Sequence, residues 1–172
     1  AIPNLLYAAD DATLFHDLLL SGNLGDVGNI DSANVALFVN GEATQANLWA
    51  QLFKINRHAQ KGDIVYIYLS GLGYYEFGEP AFLTYDASFA HSTSNEILEG
   101  ALNLNALMVN VRNLCNKGVY VFVINDFQLS ASLDAKNNKQ GNPLQEDLVN
   151  YVCISSSEPG QRTYEGKQWG GG

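Results

Sequence analysis

The chain has 172 residues, of which 47% are hydrophobic and 16% charged, and nine Lys and Arg against eighteen Asp and Glu give a formal net charge of −9. A chain of this length buries enough apolar surface for one complete core, which excludes a disordered tail, a collagen-like chain and a disulfide-stapled miniprotein. The acidity argues against nucleic acid and against an anionic membrane as partners.

The first part of the chain predicts a helix, a loop and a short strand. A helix over residues 5–20 places four apolar side chains on one stripe: Leu14, Phe15, Leu18 and Leu19. The pair Ser21-Gly22 ends this helix, and a glycine-rich loop follows over residues 22–32. Residues 34–39 are an apolar run of strand length.

A second helix and a buried strand come next. Thr44 is a good N-cap for a helix that runs to Ala59 and turns four side chains inward: Leu48, Leu52, Phe53 and Ile55. Residues 64–69 are aromatic and β-branched, as in a buried strand. We expect a loop rich in glycine and tyrosine over 70–80, and a short strand or hairpin arm over 81–85.

The remainder predicts one more helix and two more strands. Asn103 can cap a helix whose apolar face consists of Leu104, Leu107, Met108, Val111 and Leu114. Residues 119–124 and 151–154 are strand-like, and the polar stretch 135–147 predicts a mobile loop. Alternating strands and helices predict one α/β domain over residues 1–172, a three-layer αβα sandwich with a mostly parallel sheet.

The candidate site lies after two of these strands, because ligands of such sheets bind beyond the carboxyl ends of the strands. One strand leads into Ser70-Gly71-Leu72-Gly73 and the other into Asn125-Asp126-Phe127-Gln128. Here the chain resembles the caspase-like cysteine peptidases, which include metacaspases and bacterial relatives. Further similar segments follow the family's order along nearly the whole chain, at residues 4–12, 42–48, 62–73, 82–86 and 154–160.

The resemblance implies a caspase-like fold without its usual catalytic pair. The family pattern is Ser-Gly-His-Gly at the first loop and Asp-x-Cys at the second, whereas this chain has Leu72 and Phe127 at the histidine and cysteine positions. Their separation is close to the roughly 50 residues of the family signature. The family has a strand before its first helix and more sheet after the last residues here, so we expect a domain incomplete at both ends.

A cysteine peptidase needs a thiolate and an imidazole, which leucine and phenylalanine cannot replace. We therefore expect an inactive, pseudo-peptidase domain that binds or regulates a protein, an active relative or another copy of this chain. Two large apolar groups at the strand ends could also pack together and turn the cleft into a small core. The resemblance implies vestigial oxyanion and cleft residues at Gly71, Gly73, Asn125, Asp126 and Glu165, with the backbone amides of Gly73 and Phe127 as the oxyanion donors.

Clustered aromatic residues suggest a contact surface, unless their loop folds over the sheet. The cluster consists of Tyr74, Tyr75 and Phe77. An exposed sheet edge is the other candidate for partner binding.

Two alternatives stay open: an active hydrolase with displaced residues such as His91 or Asp126, and a purely structural domain of a larger protein. Cys115 and Cys153 form no CxxC pair, and free cysteines are most often buried small hydrophobes. His16 and His58 fall on predicted helices, and helix capping explains Asp10 and Asp11 better than a metal does. We expect no metal, cofactor or membrane span, and the lack of a disulfide set slightly favours the cytoplasm.

Overall fold

The computed structural model describes residues 2, 5–22, 30–76, 79–91, 96–130, 144 and 146–156. In chain order they form α1 (Ala8–Leu20), α2 (Gln45–His58), β1 (Ile64–Glu76), β2 (Glu79–His91), β3 (Glu96–Asn103), α3 (Leu104–Asn116), β4 (Tyr120–Ser130) and β5 (Tyr151–Ser155). Short 3-10 turns lie at Ser32–Asn34 and Asn40–Glu42.

The five strands form one mixed sheet in the order β3-β2-β1-β4-β5. β1, β4 and β5 run parallel, whereas β2 and β3 are antiparallel to their neighbours. The predicted α/β class and sandwich are therefore confirmed, with two antiparallel strands, β2 and β3, added to a parallel core of β1, β4 and β5.

Helices cover both faces of the sheet, as the side chains of β1 show. The ring of Tyr68 packs against that of Phe15 of α1, with ring centroids 4.8 Å apart. Leu69, the next residue and thus on the opposite face, belongs to the main core with Leu52 of α2 and Leu107 of α3. We call these the α1 face and the α2/α3 face.

Helix α3 is formed as its sequence predicts. The side chain of Asn103 accepts a hydrogen bond of 2.9 Å from the amide of Ala106 and so caps the helix. Its whole predicted apolar face is fully buried at the centre of the core: Leu104, Leu107, Met108, Val111 and Leu114.

The first two helices are located correctly, but their predicted inner faces are partly wrong. Thr44 caps α2 by accepting from the amide of Asn47, yet Phe53 is 63% exposed. On α1, Leu19 is buried, whereas Leu14 and Leu18 are exposed. In both helices, therefore, fewer of the predicted apolar side chains are buried against the sheet than the sequence pattern predicts.

The strands differ more from the prediction. The expected loop over 70–80 continues β1 to Glu76, and β2 begins at Glu79 to form a long hairpin. The strand predicted over 34–39 is not formed: Asn34 ends a 3-10 turn, and residues 35–39, with extended backbone angles at Val35 and Val39, pair with no strand in the described part of the chain. Of the predicted loop 135–147, only residues 144, 146 and 147 are described.

Strand β3 is absent from the prediction because its sequence, with two glutamates and a glycine, has little strand character. It forms through pairing with β2, across a register shift between Leu83 and Ser88. Gly100 makes that shift possible. It has φ +71°, and a Cβ there would lie 2.5 Å from the carbonyl oxygen of Asp86.

Candidate functional site

The two positions that the resemblance assigns to the catalytic pair lie on neighbouring parallel strands, β1 and β4. Their register pairs Gly71 with Phe127 and Leu72 with Gln128. Both positions lie within paired strands, so the prediction that they follow the strand ends is wrong. The hydrogen-bonded ladder continues beyond them to Tyr74 and Ser130.

The same register separates the two side chains. Partners in a parallel pair share a face, and successive residues alternate. Phe127 therefore shares the α2/α3 face with Gly71, whereas Leu72 lies on the α1 face. The prediction that the two apolar groups pack together is wrong, because an offset of one residue places them on opposite sides of the sheet.

Phe127 instead packs with another aromatic residue. Its side chain is 3% exposed, and its ring lies edge-on to Phe82 of β2 with centroids 5.1 Å apart. Gly71, on the strand between them, leaves the space for this contact. A Cβ at Gly71 would lie 2.8 Å from the ring of Phe82. An aromatic pair thus occupies the carboxyl half of the parallel strands on this face.

Asn125 is buried on the same face and has partners within the fold. Its side-chain amide donates to Oγ of Ser155 at 3.2 Å, and its carbonyl oxygen accepts from the backbone amide of Phe127 at 3.4 Å. The amide that the resemblance suggests as an oxyanion donor thus contacts Asn125. Gly73, the other suggested donor, is buried and pairs in register with Phe82 and Leu129.

Asp126 lies on the α1 face, away from Asn125. Its carboxylate accepts a hydrogen bond of 3.0 Å from the hydroxyl of Tyr68. Burial raises the pKa of the Tyr68 phenol, and the negative charges of Asp126 and Asp11 raise it further. The predicted cleft residues are therefore divided between two faces of the sheet. Glu165 lies outside the described residues.

The two cysteines make their described polar contacts with groups other than histidine. Sγ of Cys115 lies 3.9 Å from the carbonyl oxygen of Asn150, and burial raises the pKa of that thiol. Sγ of Cys153 lies 3.9 Å from Oγ of Ser155. His16 contacts Asp17, and within the described part no histidine is hydrogen-bonded to a cysteine. His91 ends β2, and its side chain lies outside the description.

The aromatic residues proposed as a contact surface belong to the end of β1. Tyr74 lies edge-on to Phe89 of β2, with ring centroids 5.2 Å apart. Tyr75 is half-buried, and burial raises its pKa. Their role in partner binding stays a prediction, and Phe77 lies outside the described residues.

A large cavity that was not predicted from the sequence lies beside β1. It has a volume of about 1950 Å³ and is lined by residues 33–40, by residues 63–72 of β1 and its approach, by residues of β2, and by both apolar and polar side chains of α1 and α2, such as Phe15, His16, Leu52 and Lys54. The apolar run 34–39, strand-like in sequence yet unpaired in the described fold, was the one local signal of it.

Within the described residues, no group of three or more His, Cys, Asp or Glu side chains could hold a metal ion. No described helix is both long and apolar enough to cross a membrane.

A comparison with models of known protein families and one with curated proteins both yield no match for this chain. The resemblance to caspase-like peptidases therefore rests on the sequence segments quoted above.

Proposed function

We propose that this chain is a protein-binding module that has the frame of a caspase-like peptidase but not its chemistry. The observation that carries the proposal is the environment of Phe127. At the position that the resemblance gives to the nucleophilic sulfur, an aromatic ring is 3% exposed and packs on Phe82. A substrate carbonyl has neither a nucleophile nor free space at this point.

The rest of the described chain supports the loss of peptidase chemistry. Leu72 has no proton to transfer and lies on the opposite face from Phe127. Burial raises the pKa of Cys115, so little of this thiol is ionised at neutral pH, and the thiolate is the form that attacks carbonyl groups.

Exposed apolar side chains on the sheet support a binding role. Val152 and Ile154 of β5 pair in register with Phe122 and Ile124 and so lie on the α1 face. They are 43% and 54% exposed, and Tyr120 on the same face is 47% exposed. Contiguous apolar surface on a folded domain commonly marks a contact site for another protein.

The catalytic half of the proposal is tested with peptide substrates that carry Arg, Lys or Asp before the scissile bond. The purified chain is incubated with each, with and without iodoacetamide, and product is followed by mass spectrometry. We expect no turnover above the buffer control. Turnover that iodoacetamide stops, and that Cys115→Ser or Cys153→Ser abolishes, would overturn the proposal in favour of a displaced active site.

The binding half is tested on the apolar sheet face. An active caspase-like peptidase, the proposed partner class, is titrated with the chain in a calorimeter. Saturable binding that Ile154→Lys weakens and Phe53→Lys leaves unchanged is the expected result, since Phe53 is 63% exposed on α2, which covers the opposite face of the sheet. Absence of binding would favour a purely structural domain.

A further inference from the structure

Helix α1 has an exposed stripe of acidic and leucine side chains, which we call the α1 stripe. Asp10, Leu14, Asp17 and Leu18 recur at spacings of three and four residues, which place side chains on one face of a helix. All four are exposed, Leu14 to 72% and Leu18 to 41%, and Asp10 also lines the cavity beside β1. Two leucines beside two carboxylates are thus available for contact on the outer side of α1.

The charges of α1 are predominantly negative. The helix contains Asp10, Asp11 and Asp17 but no Lys or Arg. Asp11 lies on the sheet side, where its charge acts on the hydroxyl of Tyr68. His16, with Nδ1 2.9 Å from Oδ1 of Asp17, offsets at most one of the three negative charges when it is protonated. A surface that is complementary to the α1 stripe should therefore be basic.

Helix α2 has an exposed stripe of the opposite character, which we call the α2 stripe. Ala46, Ala50, Phe53 and Arg57 share one face by the same spacing rule, and all four are exposed. Three of them are apolar, although the solvent side of a surface helix is usually polar, and Phe53 is 63% exposed. The two alanines leave room for another helix to approach at the usual interaxial distance of about 8–10 Å.

The carboxyl end of α2 is basic. The helix contains no Asp or Glu, and residues 54–58 include Lys54, Arg57 and His58. Neither Lys54 nor Arg57 forms an ion pair with a described residue. Lys54 also lines the cavity beside β1, so Arg57 is the cation that belongs to the α2 stripe itself.

Two more lysines lie beside this end of α2. The ammonium group of Lys117 donates to the carbonyl oxygen of Asn56, and a Cβ at Gly118 would lie 2.9 Å from Cγ of Lys61. Asp63, in the adjoining turn, offsets one of these positive charges. Four of the nine Lys and Arg thus surround the end of α2, in a chain whose net charge is −9.

The two stripes are complementary in charge and both carry apolar side chains, but they cannot meet within one chain. Helix α1 covers one face of the sheet, where Phe15 packs on Tyr68, and α2 covers the other, where Leu52 belongs to the main core. Two copies that each carry a net charge of −9 repel each other unless opposite charges face each other locally. The acidic α1 stripe placed on the basic, aromatic α2 stripe is such an arrangement.

We propose that the α1 stripe of one copy of this chain binds the α2 stripe of a second copy. Because the two stripes lie on opposite faces of the sheet, the contact is head-to-tail and leaves one free stripe of each kind, so that further copies can add. The faces of two short helices bury less surface than a standard interface, so the association is weak and visible at high protein concentration. The inference uses neither the resemblance to peptidases nor the exposed face of β4 and β5.

Sedimentation velocity of the purified chain over a range of concentrations measures this association. We expect monomers that give way to dimers and longer assemblies as the concentration rises. Leu14→Lys and Phe53→Glu should each weaken self-association about tenfold or more, since each replaces an apolar contact by a charge of the same sign as the partner stripe. Arg57→Glu should weaken it about fivefold, whereas Arg57→Lys should stay within about twofold. Val149→Glu is the matched control, because Val149 is 84% exposed and lies on neither helix.

Mixing the two disruptive variants tests the head-to-tail geometry. Leu14→Lys has an intact α2 stripe and Phe53→Glu has an intact α1 stripe. We expect each variant to be monomeric alone and the equimolar mixture to form a dimer through the two intact stripes. Both substitutions are at exposed positions, and circular dichroism shows whether each variant is folded.

Three results would overturn the proposed contact. One is a chain that stays monomeric up to about 1 mM, which is weaker than any association expected of a specific interface. Another is loss of association in only one of the two folded variants, which would mean that like stripes pair with each other. The third is a mixture of the two variants that stays monomeric. All three are measured on this chain alone, so they leave the proposed binding of a peptidase unaffected.

Discussion

The ring of Phe127 lies edge-on against the ring of Phe82, with centroids 5.1 Å apart, across a strand that carries Gly71 at the crossing point. Phe127 belongs to a parallel strand and Phe82 to an antiparallel one. The contact therefore joins the two halves of the mixed sheet on the α2/α3 face. Both rings belong to the main core.

Phe127→Ala should lower the free energy of unfolding by about 3–5 kcal/mol, because it removes a buried ring from a packed core. A double-mutant cycle with Phe82→Ala should give a coupling of about 0.5–1.5 kcal/mol, the usual value for an edge-to-face pair. Urea denaturation measures both quantities. Phe53→Ala, at a 63% exposed position of α2, is the control and should cost little. Additive losses in the cycle would contradict the direct contact.

Gly71→Ala should destabilise the fold by about 1–3 kcal/mol through overpacking, since the new methyl group would lie 2.8 Å from the Phe82 ring. Phe82→Leu should recover part of this loss, because a smaller side chain at position 82 frees the space. Thermal unfolding of the two single variants and the double variant checks this. Gly41→Ala is the matched control, since its Cβ would have no neighbour closer than 3.9 Å. If the stability losses of Gly71→Ala and Phe82→Leu simply add in the double variant, the new methyl group at position 71 does not crowd the Phe82 ring.

The sequence correctly predicts elements that are stabilised by residues close together in the chain. Helix α3 has a cap at Asn103 and five apolar residues at helical spacing, and all five are buried. Strand β3 has no such pattern, and it exists because β2 provides a partner and Gly100 accepts a positive φ. Pairing between distant segments leaves little mark on the sequence of the weaker strand.

The arrangement of the candidate site also depends on pairing between distant segments, so only part of it could be predicted from the sequence. That Leu72 and Phe127 fall on adjacent strands was predictable, because both follow strongly apolar runs. Which face each occupies depends on a register offset of one residue, which neither run encodes alone. The cavity beside β1 was likewise unpredictable, since it depends on where β2 leaves β1 and on the absence of a described partner for residues 35–39.

Asn103→Ala should reduce the free energy of unfolding by about 1 kcal/mol, within a range of roughly 0.5–2 kcal/mol for lost N-caps. The reason is the 2.9 Å hydrogen bond from the amide of Ala106, which alanine cannot accept. Urea denaturation measures the change, and Asn103→Asp should keep most of the stability. Asn113→Ala, at an exposed position of the same helix, serves as the control. An equal loss in both alanine variants would mean that the cap contributes nothing specific.

Tyr68 should make the fold less stable in alkali. Burial, together with the charges of Asp126 and Asp11, raises the pKa of its phenol above the usual value near 10. In the unfolded chain the phenol ionises at about pH 10, while in the folded chain it stays protonated to higher pH. The unfolded state therefore binds fewer protons above about pH 10, and the free energy of unfolding falls as the pH rises further.

Tyr68→Phe removes this contribution, so its urea midpoint should fall less steeply than that of the unmodified chain between about pH 9 and pH 11. Near neutral pH the variant loses the 3.0 Å hydrogen bond to Asp126 and should be less stable by about 0.5–1.5 kcal/mol. Tyr85→Phe, at a 68% exposed position, controls for the loss of a surface phenol. If Tyr68→Phe and the unmodified chain lose stability in parallel over this range, the phenol of Tyr68 ionises as readily in the folded state as in the unfolded one. That result would contradict its burial between Phe15 and the carboxylate of Asp126.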